Sequence, residues 1–289
     1  PNGAFFSFFI PEAQIPNRNC LNMRSTVSFI IPMAGAGSRF AKAGYTLPKP
    51  LIPIHGKPMI DVVIQNLTPS RYKCRFIFLV QKAQIEKYAV DEKLRTSCPG
   101  CEVVTVNGLT EGAACTVLLA KRYITNDPMV IANCDQFVDC SIDDFLDAWF
   151  DHDHDYDGMI MTMTANDPKW SFVGFDADGQ VNRVVEKEVI SNEATVGIYG
   201  FTRGSDFVSA AEDMIAANER VKNEFYVAPA YNRLIKAGAR IGIWNIGSER
   251  HGMYGLGIPA DLDYFLSLPW TKKLGIEDGK AAEEQENGR

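Results

Sequence analysis

Apolar residues in this chain come in short dense runs and in sparser rows at helical spacing, and the two kinds alternate. "TVSFIIPMA" (26–34) is nearly continuous, as in a strand covered on both faces. "PMIDVVIQNL" (58–67) has helical spacing, with Pro58 acceptable in its first turn. "CRFIFLVQ" (74–81) predicts a second strand, "KAQIEKYAVDEKLR" (82–95) a helix and "CEVVTVN" (101–107) a third strand. "TEGAACTVLLAKRYI" (110–124) reads as a helix, followed by the strand "PMVIANCD" (128–135). "SIDDFLDAWFDH" (141–152) opens on Ser141 as an N-cap and continues with apolar residues at i, i+3 and i+4. "GMIMTMTA" (158–165) is another strand.

Strand and helix alternating through residue 165 predict an α/β, Rossmann-like fold: a mixed, mostly parallel sheet with helices on both faces. The texture then changes. "WSFVGFDADGQVNRVVEKE" reads as a hairpin turning at Asp178-Gly179, and "ATVGIYGFT" (194–202) as a strand. "SDFVSAAEDMIAAN" is helical, and so is "EFYVAPAYNRLIKAG", closed by Gly238. "RIGIWNIG" (240–247) is a strand and "PADLDYFLSL" (259–268) a last short helix. With no repeat and no linker, residues 23–270 form a single domain whose halves cover about 26–165 and 166–268.

The length, 289 residues with 46% hydrophobic, suffices for one large core. A net charge of -7 and a pI near 5.2 argue against a nucleic-acid partner, so any polyanion must be held by a local cationic pocket. No apolar run approaches the roughly 20 residues that span a bilayer, so no membrane partner is expected. Residues 1–22 look unlike the rest and read as a tail outside the native protein, with Met23 a candidate natural start. Residues 271–289 read as a polar, acidic tail. Seven scattered cysteines make an odd number and no disulfide framework, which points to a reducing, cytoplasmic setting. The pair in "CPGC" (98–101) has no second ligand pair for zinc and reads as a loop with two free thiols. "DHDHDYD" (151–157) reads as a solvated loop.

The chemistry concentrates where the first strand breaks into "AGAGSRF". Ala34, Gly35, Ala36, Gly37 and Ser38 let the backbone approach a ligand closely, and their amides suit phosphate oxygens. Arg39 adds a forked cation and Lys49 a compact one. There is no Walker A ending and no third glycine of a dinucleotide fingerprint.

The whole stretch "MAGAGSRF…PKPLIPIHGKPMID" resembles the signature of the sugar-phosphate nucleotidyltransferases, or nucleoside-diphosphate-sugar pyrophosphorylases. The resemblance spans residues 26–268 and is nearest to enzymes of capsule and surface-polysaccharide clusters, including "LTEGAACTV" and "GLGIPADLDYFL". It implies the nucleotide-diphospho-sugar transferase type of fold, with an NTP-binding first half and an acceptor-binding second half. It also implies that Ala34 to Ser38 hold the nucleotide, Arg39 the β,γ-phosphates, and Lys49 the α-phosphate under attack. Glu111 and Gly112 would border the base, and Asp135, ending "IANCD", would bind Mg²⁺. Asp139 would be an outer neighbour of that metal or a turn residue. On the acceptor side the resemblance implies Glu186 for hydroxyls, Lys187 for phosphate, and Ser171, Thr195 and Gly197 as pocket walls, with Glu224 a weaker candidate. In an extended strand Glu186 and Lys187 point to opposite faces, which sets those two roles against each other.

Three positions depart from the pattern. The loop opens Pro32-Met33 rather than Leu-Ala, Ser171 stands where a glycine is usual, and Gly255 stands where a second metal-binding Asp is usual, with Asp261 nearby. The implied activity is Mg²⁺-dependent transfer of a nucleotidyl group from an NTP to a sugar 1-phosphate, releasing pyrophosphate. Two alternatives stay open: a cytidylyltransferase acting on phosphocholine or another non-sugar phosphorylated acceptor, and a glycosyltransferase using a nucleotide sugar. A non-catalytic nucleotide-sugar sensor would not need Arg39, Lys49 and Asp135 together. His251, near "GMYGLG", is a further candidate for substrate contact. The base, the acceptor and the oligomeric state are open at this point.

Overall fold

The computed structural model describes residues 26–151 and 155–275. The expectations for residues 1–22 and Met23, for residues 276–289, and for His152 to His154 of the acidic loop lie outside the described residues.

The first half runs β1 (Val27–Pro32), α1 (Ser38–Lys42), a ribbon of β2 (Pro53–Ile54) and β3 (Lys57–Pro58), then α2 (Met59–Leu67). It continues through β4 (Cys74–Gln81), α3 (Lys82–Tyr88), α4 (Val90–Ser97), β5 (Glu102–Val106), α5 (Ala113–Leu118), β6 (Met129–Ala132), β7 (Gln136–Val138), α6 (Ile142–Trp149) and β8 (Gly158–Thr164). The second half adds β9 (Ser171–Phe175), β10 (Val181–Glu186), β11 (Glu193–Phe201), α7 (Gly204–Ala216), α8 (Tyr231–Lys236), β12 (Ile241–Glu249), β13 (Gly252–Gly255) and α9 (Pro259–Ser267).

The strands run β5-β4-β1-β6-β11-β8-β12-β13-β7 across one sheet, with the β9–β10 hairpin hung from β11. β5, β4, β1 and β6 are mutually parallel, while β11 runs against both β6 and β8. Alternation along β1 explains its unbroken apolar run. Phe29 and Ile31 pack with α2, α4 and α6 on one face, and Ile30 packs with α5, α7 and α8 on the other. A third apolar cluster joins Phe40, Ile54, Met59, Phe137, Tyr254 and Phe265, fixing α1 and α9 against the sheet's far edge.

Several elements differ from the sequence reading. The helix expected over 82–95 is two, divided at Ala89, whose φ is 49°. The helix expected over 110–124 is regular only over Ala113–Leu118, because its first residues belong to a cavity wall. The helix expected from Glu224 begins at a 3₁₀ turn, Ala228–Ala230, since Pro229 is tolerated only in a first turn. β7 and β13 pair with each other and are new. Residues 271–275, expected as the start of a tail, belong to the 3₁₀ helix Pro269–Gly275, in which Thr271 is fully buried and hydrogen-bonded to His55 at 2.8 Å. Every described cysteine is free. Cys98 and Cys101 hydrogen-bond to each other, and burial pushes the Cys98 thiol up to about 11. Among the described residues, no group of three or more His, Cys, Asp or Glu side chains is set to hold a metal, and no helix is long and apolar enough to cross a membrane.

Candidate active site

The carboxyl ends of β1 and β6 open on a cavity of about 640 Å³. After Pro32 the chain turns through Ala34, Gly35, Ala36 and Gly37, all of which line it, as do Ser38 and Arg39. Gly37 sits at φ 60°, a left-handed conformation that favours glycine, and its bare side lies 3.9 Å from the Lys49 Cβ. Gly35 has nothing within 4 Å of a would-be Cβ, so its backbone is open to a ligand. The loop is braced from behind. Gln81 Nε2 donates to the Ala34 carbonyl at 2.5 Å, and the Tyr88 hydroxyl donates to the Thr46 carbonyl at 2.8 Å.

Lys49 crosses the cavity floor and donates to Asp135 Oδ2 at 2.7 Å. Burial alone would lower the Lys49 pKa, but the charge of Asp135 and its hydrogen bond outweigh it and hold the ammonium above its ordinary range. Asp135 follows β6, and its carbonyl accepts the Leu256 N–H at 2.8 Å. Its carboxylate fills the space beside Gly257, where a Cβ would come within 2.5 Å of Oδ2. Mg²⁺ takes one or two carboxylates and completes its shell with phosphate oxygens and water. Asp135 supplies one carboxylate, whose Oδ2 is engaged by Lys49 and which lines the cavity, so this donor set fits Mg²⁺ held together with a triphosphate once Lys49 turns to the phosphates. Asp139 lies at the other end of β7, about 10 Å of strand away, and its N–H donates to Gly252. Asp261 Oδ2 lies 3.4 Å from where a Gly255 Cβ would be, with Oδ1 at 3.8 Å from Arg250.

The facing wall is Leu109, Thr110, Gly112, Ala113 and Thr116. Gly112, at φ 135°, presses so closely on residue 225 that a Cβ would strike the Phe225 carbonyl and lie 2.5 Å from its nitrogen. Two backbone bonds fix that contact: Phe225 N to the Glu111 carbonyl at 2.8 Å, and Ala114 N to the Phe225 carbonyl at 3.0 Å. The Glu111 side chain, expected at the base, turns instead to Arg220, whose guanidinium stacks on Phe225 at 4.2 Å. Residues 219–227 thus strap the wall from outside. Their tight turn holds Lys222 and Asn223 at φ 47° and 68°, and Glu224 and Tyr226 face into the cavity.

The residues expected on the acceptor side are brought together, but most lie beneath the cavity surface. Ser171 and Glu186 are cross-strand partners in the hairpin, both buried, and the Ser171 hydroxyl donates to the Glu186 carboxylate. Burial raises the Glu186 pKa, a shift that Ser171 and Lys187 only moderate. The Thr195 hydroxyl, expected to face the pocket, meets the Tyr199 hydroxyl at 2.9 Å across a bulge in β11. Gly197, at φ 83° in that bulge, leaves the space that the Asn133 side chain fills, and Asn133 lines the cavity. Strict alternation fails for Lys187 because its φ of 59° ends the strand. Its ammonium reaches the Tyr226 hydroxyl at 2.5 Å. His251 is exposed in the turn between β12 and β13 and does not line the cavity.

Sequence reasoning did not single out Leu109, Thr110 and Thr116 within "LTEGAACTV", and it missed Asn133, Tyr226 and Gly257. For Tyr226 a signal was present: Pro229 forbids a helix through "NEFYV", and an extended segment places Glu224 and Tyr226 on one side.

A family model described as Nucleotidyl transferase matches residues 29–230. The bifunctional protein GlmU of Methanococcus maripaludis is 28% identical over 226 residues, which are 75% of this chain and 50% of that protein. The catalytic subunit beta of mannose-1-phosphate guanylyltransferase from Drosophila pseudoobscura is 24% identical, over 78% of this chain and 61% of its own. The chain therefore spans about half the length of such relatives. Among solved structures, the nucleoside-diphosphate-sugar pyrophosphorylase of Vibrio cholerae RC9 is 28% identical with a TM-score of 0.69, covering 83% of this chain and 100% of its own. A UDP-glucose pyrophosphorylase complexed with UDP-glucose shares the fold, with a TM-score of 0.67 at 17% identity, over 86% of this chain and 99% of its own. The family match runs unbroken from the glycine loop through Lys49 and Asp135 to the strap, and the chain belongs to the nucleotidyl transferase family.

Proposed function

We propose that the chain is a nucleotidyltransferase that joins an NTP to a sugar 1-phosphate, giving an NDP-sugar and pyrophosphate. The observation that carries this reading is the meeting of a bare glycine loop, Arg39 and the Lys49–Asp135 pair in one cavity. Transfer at phosphorus needs positioning and charge neutralisation more than a protein nucleophile. An oxygen of the acceptor phosphate attacks the α-phosphorus, the bond to the α,β-bridging oxygen breaks, and pyrophosphate leaves with that electron pair. The acceptor phosphate is already ionised, so no strong base is required. Lys49 turns from Asp135 toward the α-phosphate, while Arg39 neutralises the departing phosphates. Mg²⁺ bound at Asp135 would supply further charge neutralisation and order the phosphate oxygens. On the acceptor side Lys187 would exchange the Tyr226 hydroxyl for the acceptor phosphate, and Glu186 would accept from its hydroxyls. A role in capsule or surface-polysaccharide precursor supply rests on the sequence resemblance.

One observation favours a second, non-sugar phosphorylated acceptor class: the Ser171 hydroxyl already occupies the Glu186 carboxylate that sugar hydroxyls would need. Pyrophosphate release with Mg²⁺ and an NTP panel, run with pooled sugar 1-phosphates, with phosphocholine and with no acceptor, tests both. Release only with the sugar pool supports the proposal. Release only with phosphocholine moves the chain to the second class, and no release from folded protein overturns the activity.

A further inference from the structure

The wall opposite the cations carries no formal charge. It consists of Leu109, which is 69% exposed at the cavity rim, Ala113, the backbone of Gly112, and two threonine hydroxyls. A triphosphate drawn to Arg39 and Lys49 leaves its heterocycle on this wall, where an uncovered leucine offers an apolar face to a flat ring. The hydroxyls of Thr110 and Thr116 are the side-chain polar groups there, and their hydrogens can be counted. Thr110 Oγ1 lies 2.6 Å from Thr116 Oγ1, and the two lie 3.0 and 3.2 Å from the Gly112 carbonyl oxygen. At 2.6 Å one hydroxyl must donate to the other, and the second then donates to the carbonyl. Both orders consume both hydrogens. What remains on the two oxygens is lone pairs, so the hydroxyl pair accepts hydrogen bonds and offers no donor.

We infer that this site selects nucleoside triphosphates whose base carries an exocyclic amino group, with Thr110 and Thr116 as the specificity-determining pair. The inference rests on the proposed nucleotidyl-transfer reading and names its nucleotide. An amino group donates into the paired lone pairs. The 4-keto oxygen of uracil or thymine meets them acceptor to acceptor, unless a hydroxyl gives up its internal bond.

CTP and UTP give the cleanest comparison, since they differ only at position 4 and in the protonation of N3. Dissociation constants of CTP, UTP, dTTP, ATP and GTP are measured by titration calorimetry on the full chain with Mg²⁺ and no acceptor. CTP is expected to bind at least about tenfold tighter than UTP or dTTP, equivalent to about 1.4 kcal/mol. A purine triphosphate as the tightest ligand supports the inference through its own amino group. Thr116→Val and Thr110→Val should each narrow the CTP/UTP gap to about threefold or less, and Thr116→Ser should keep it. UTP binding as tightly as CTP overturns the inference while leaving nucleotidyl transfer intact. An undiminished gap in both valine variants, shown folded by circular dichroism, also overturns it. Failure of all five nucleotides to bind overturns this inference and the proposed function together.

Discussion

In the proposed reaction Lys49 and Arg39 act at short range, so their removal should separate chemistry from folding. Lys49 is held protonated by Asp135 at 2.7 Å and Arg39 is exposed, so neither anchors a core. Arg39→Ala and Lys49→Ala are each expected to lower kcat/KM for pyrophosphate release by about 10²–10³. Melting temperatures should move by no more than a few degrees, and near-normal turnover in both variants would contradict their assigned roles. Glu186 gives a pH-dependent signature. Because burial raises its pKa, the folded chain keeps a proton that the unfolded chain has released. Its stabilising contribution is present below the ordinary carboxylate range, near pH 4.3, and is lost as pH rises through the elevated folded value. Glu186→Gln should therefore gain in melting temperature relative to the wild type between about pH 4 and pH 7. A difference that stays flat over that window would contradict the buried, raised carboxylate.

At the scale of elements, the strap over residues 219–227 is the piece that joins the wall around Gly112 to Lys187, through Phe225 and Tyr226. Gly112→Ala forces a Cβ against the Phe225 backbone at a φ of 135°. It should weaken NTP binding by at least about tenfold, and lower stability by about 2 kcal/mol or more. Equilibrium binding and urea titration read the two effects separately. Asp143 anchors another junction. It accepts from Ser70 N, Ser70 Oγ and Arg71 N at 2.7–2.9 Å, tying α6 to the end of α2. Burial would raise its pKa, but those hydrogen bonds outweigh it and lower the value, so its contribution is present at neutral pH and lost as pH falls below the usual carboxylate range. Asp143→Ala should cost about 2–3 kcal/mol at pH 7 in urea titration, and less under acid.

The same elements show what the sequence makes legible. The long periodic segment β4 appears with its expected limits, and α6 starts where expected, with Ser141 capping it by accepting the Asp143 N–H, but ends at Trp149 rather than running to residue 152. The glycine loop, Arg39, Lys49 and Asp135 were readable because dense local motifs mark the ends of parallel strands. β7 and β13 were not, being only three and four residues long, too short to show a period. The strap was hidden for another reason. Its structure comes from two backbone bonds to a loop more than a hundred residues away, and no local pattern encodes such a partner. Ser171, Glu186 and Thr195 were expected to face an acceptor, yet their hydroxyls and carboxylate turn to one another or to Tyr199, which only the strand register and the β11 bulge decide.

At the scale of the whole molecule, the reversal of β11 between β6 and β8 sets the second half beside the first within one sheet. The glycine loop and the strap then close on the same cavity from opposite sides. Ligand bound only by the folded chain stabilises it, by about 2.7 kcal/mol at a hundred times Kd. Saturating NTP with Mg²⁺ is therefore expected to raise the melting temperature by several degrees, an increase that Lys49→Ala should blunt. The most direct test of nucleotidyl transfer follows the two ends of the triphosphate in parallel reactions with sugar 1-phosphate and Mg²⁺, one with NTP labelled at the α-phosphorus and one at the γ. Transfer at the α-phosphorus predicts the α label in a diphospho-sugar and the γ label in pyrophosphate, in equal yield and only when acceptor is present. An α label left in nucleoside mono- or diphosphate, or a γ label released as inorganic phosphate, would contradict it.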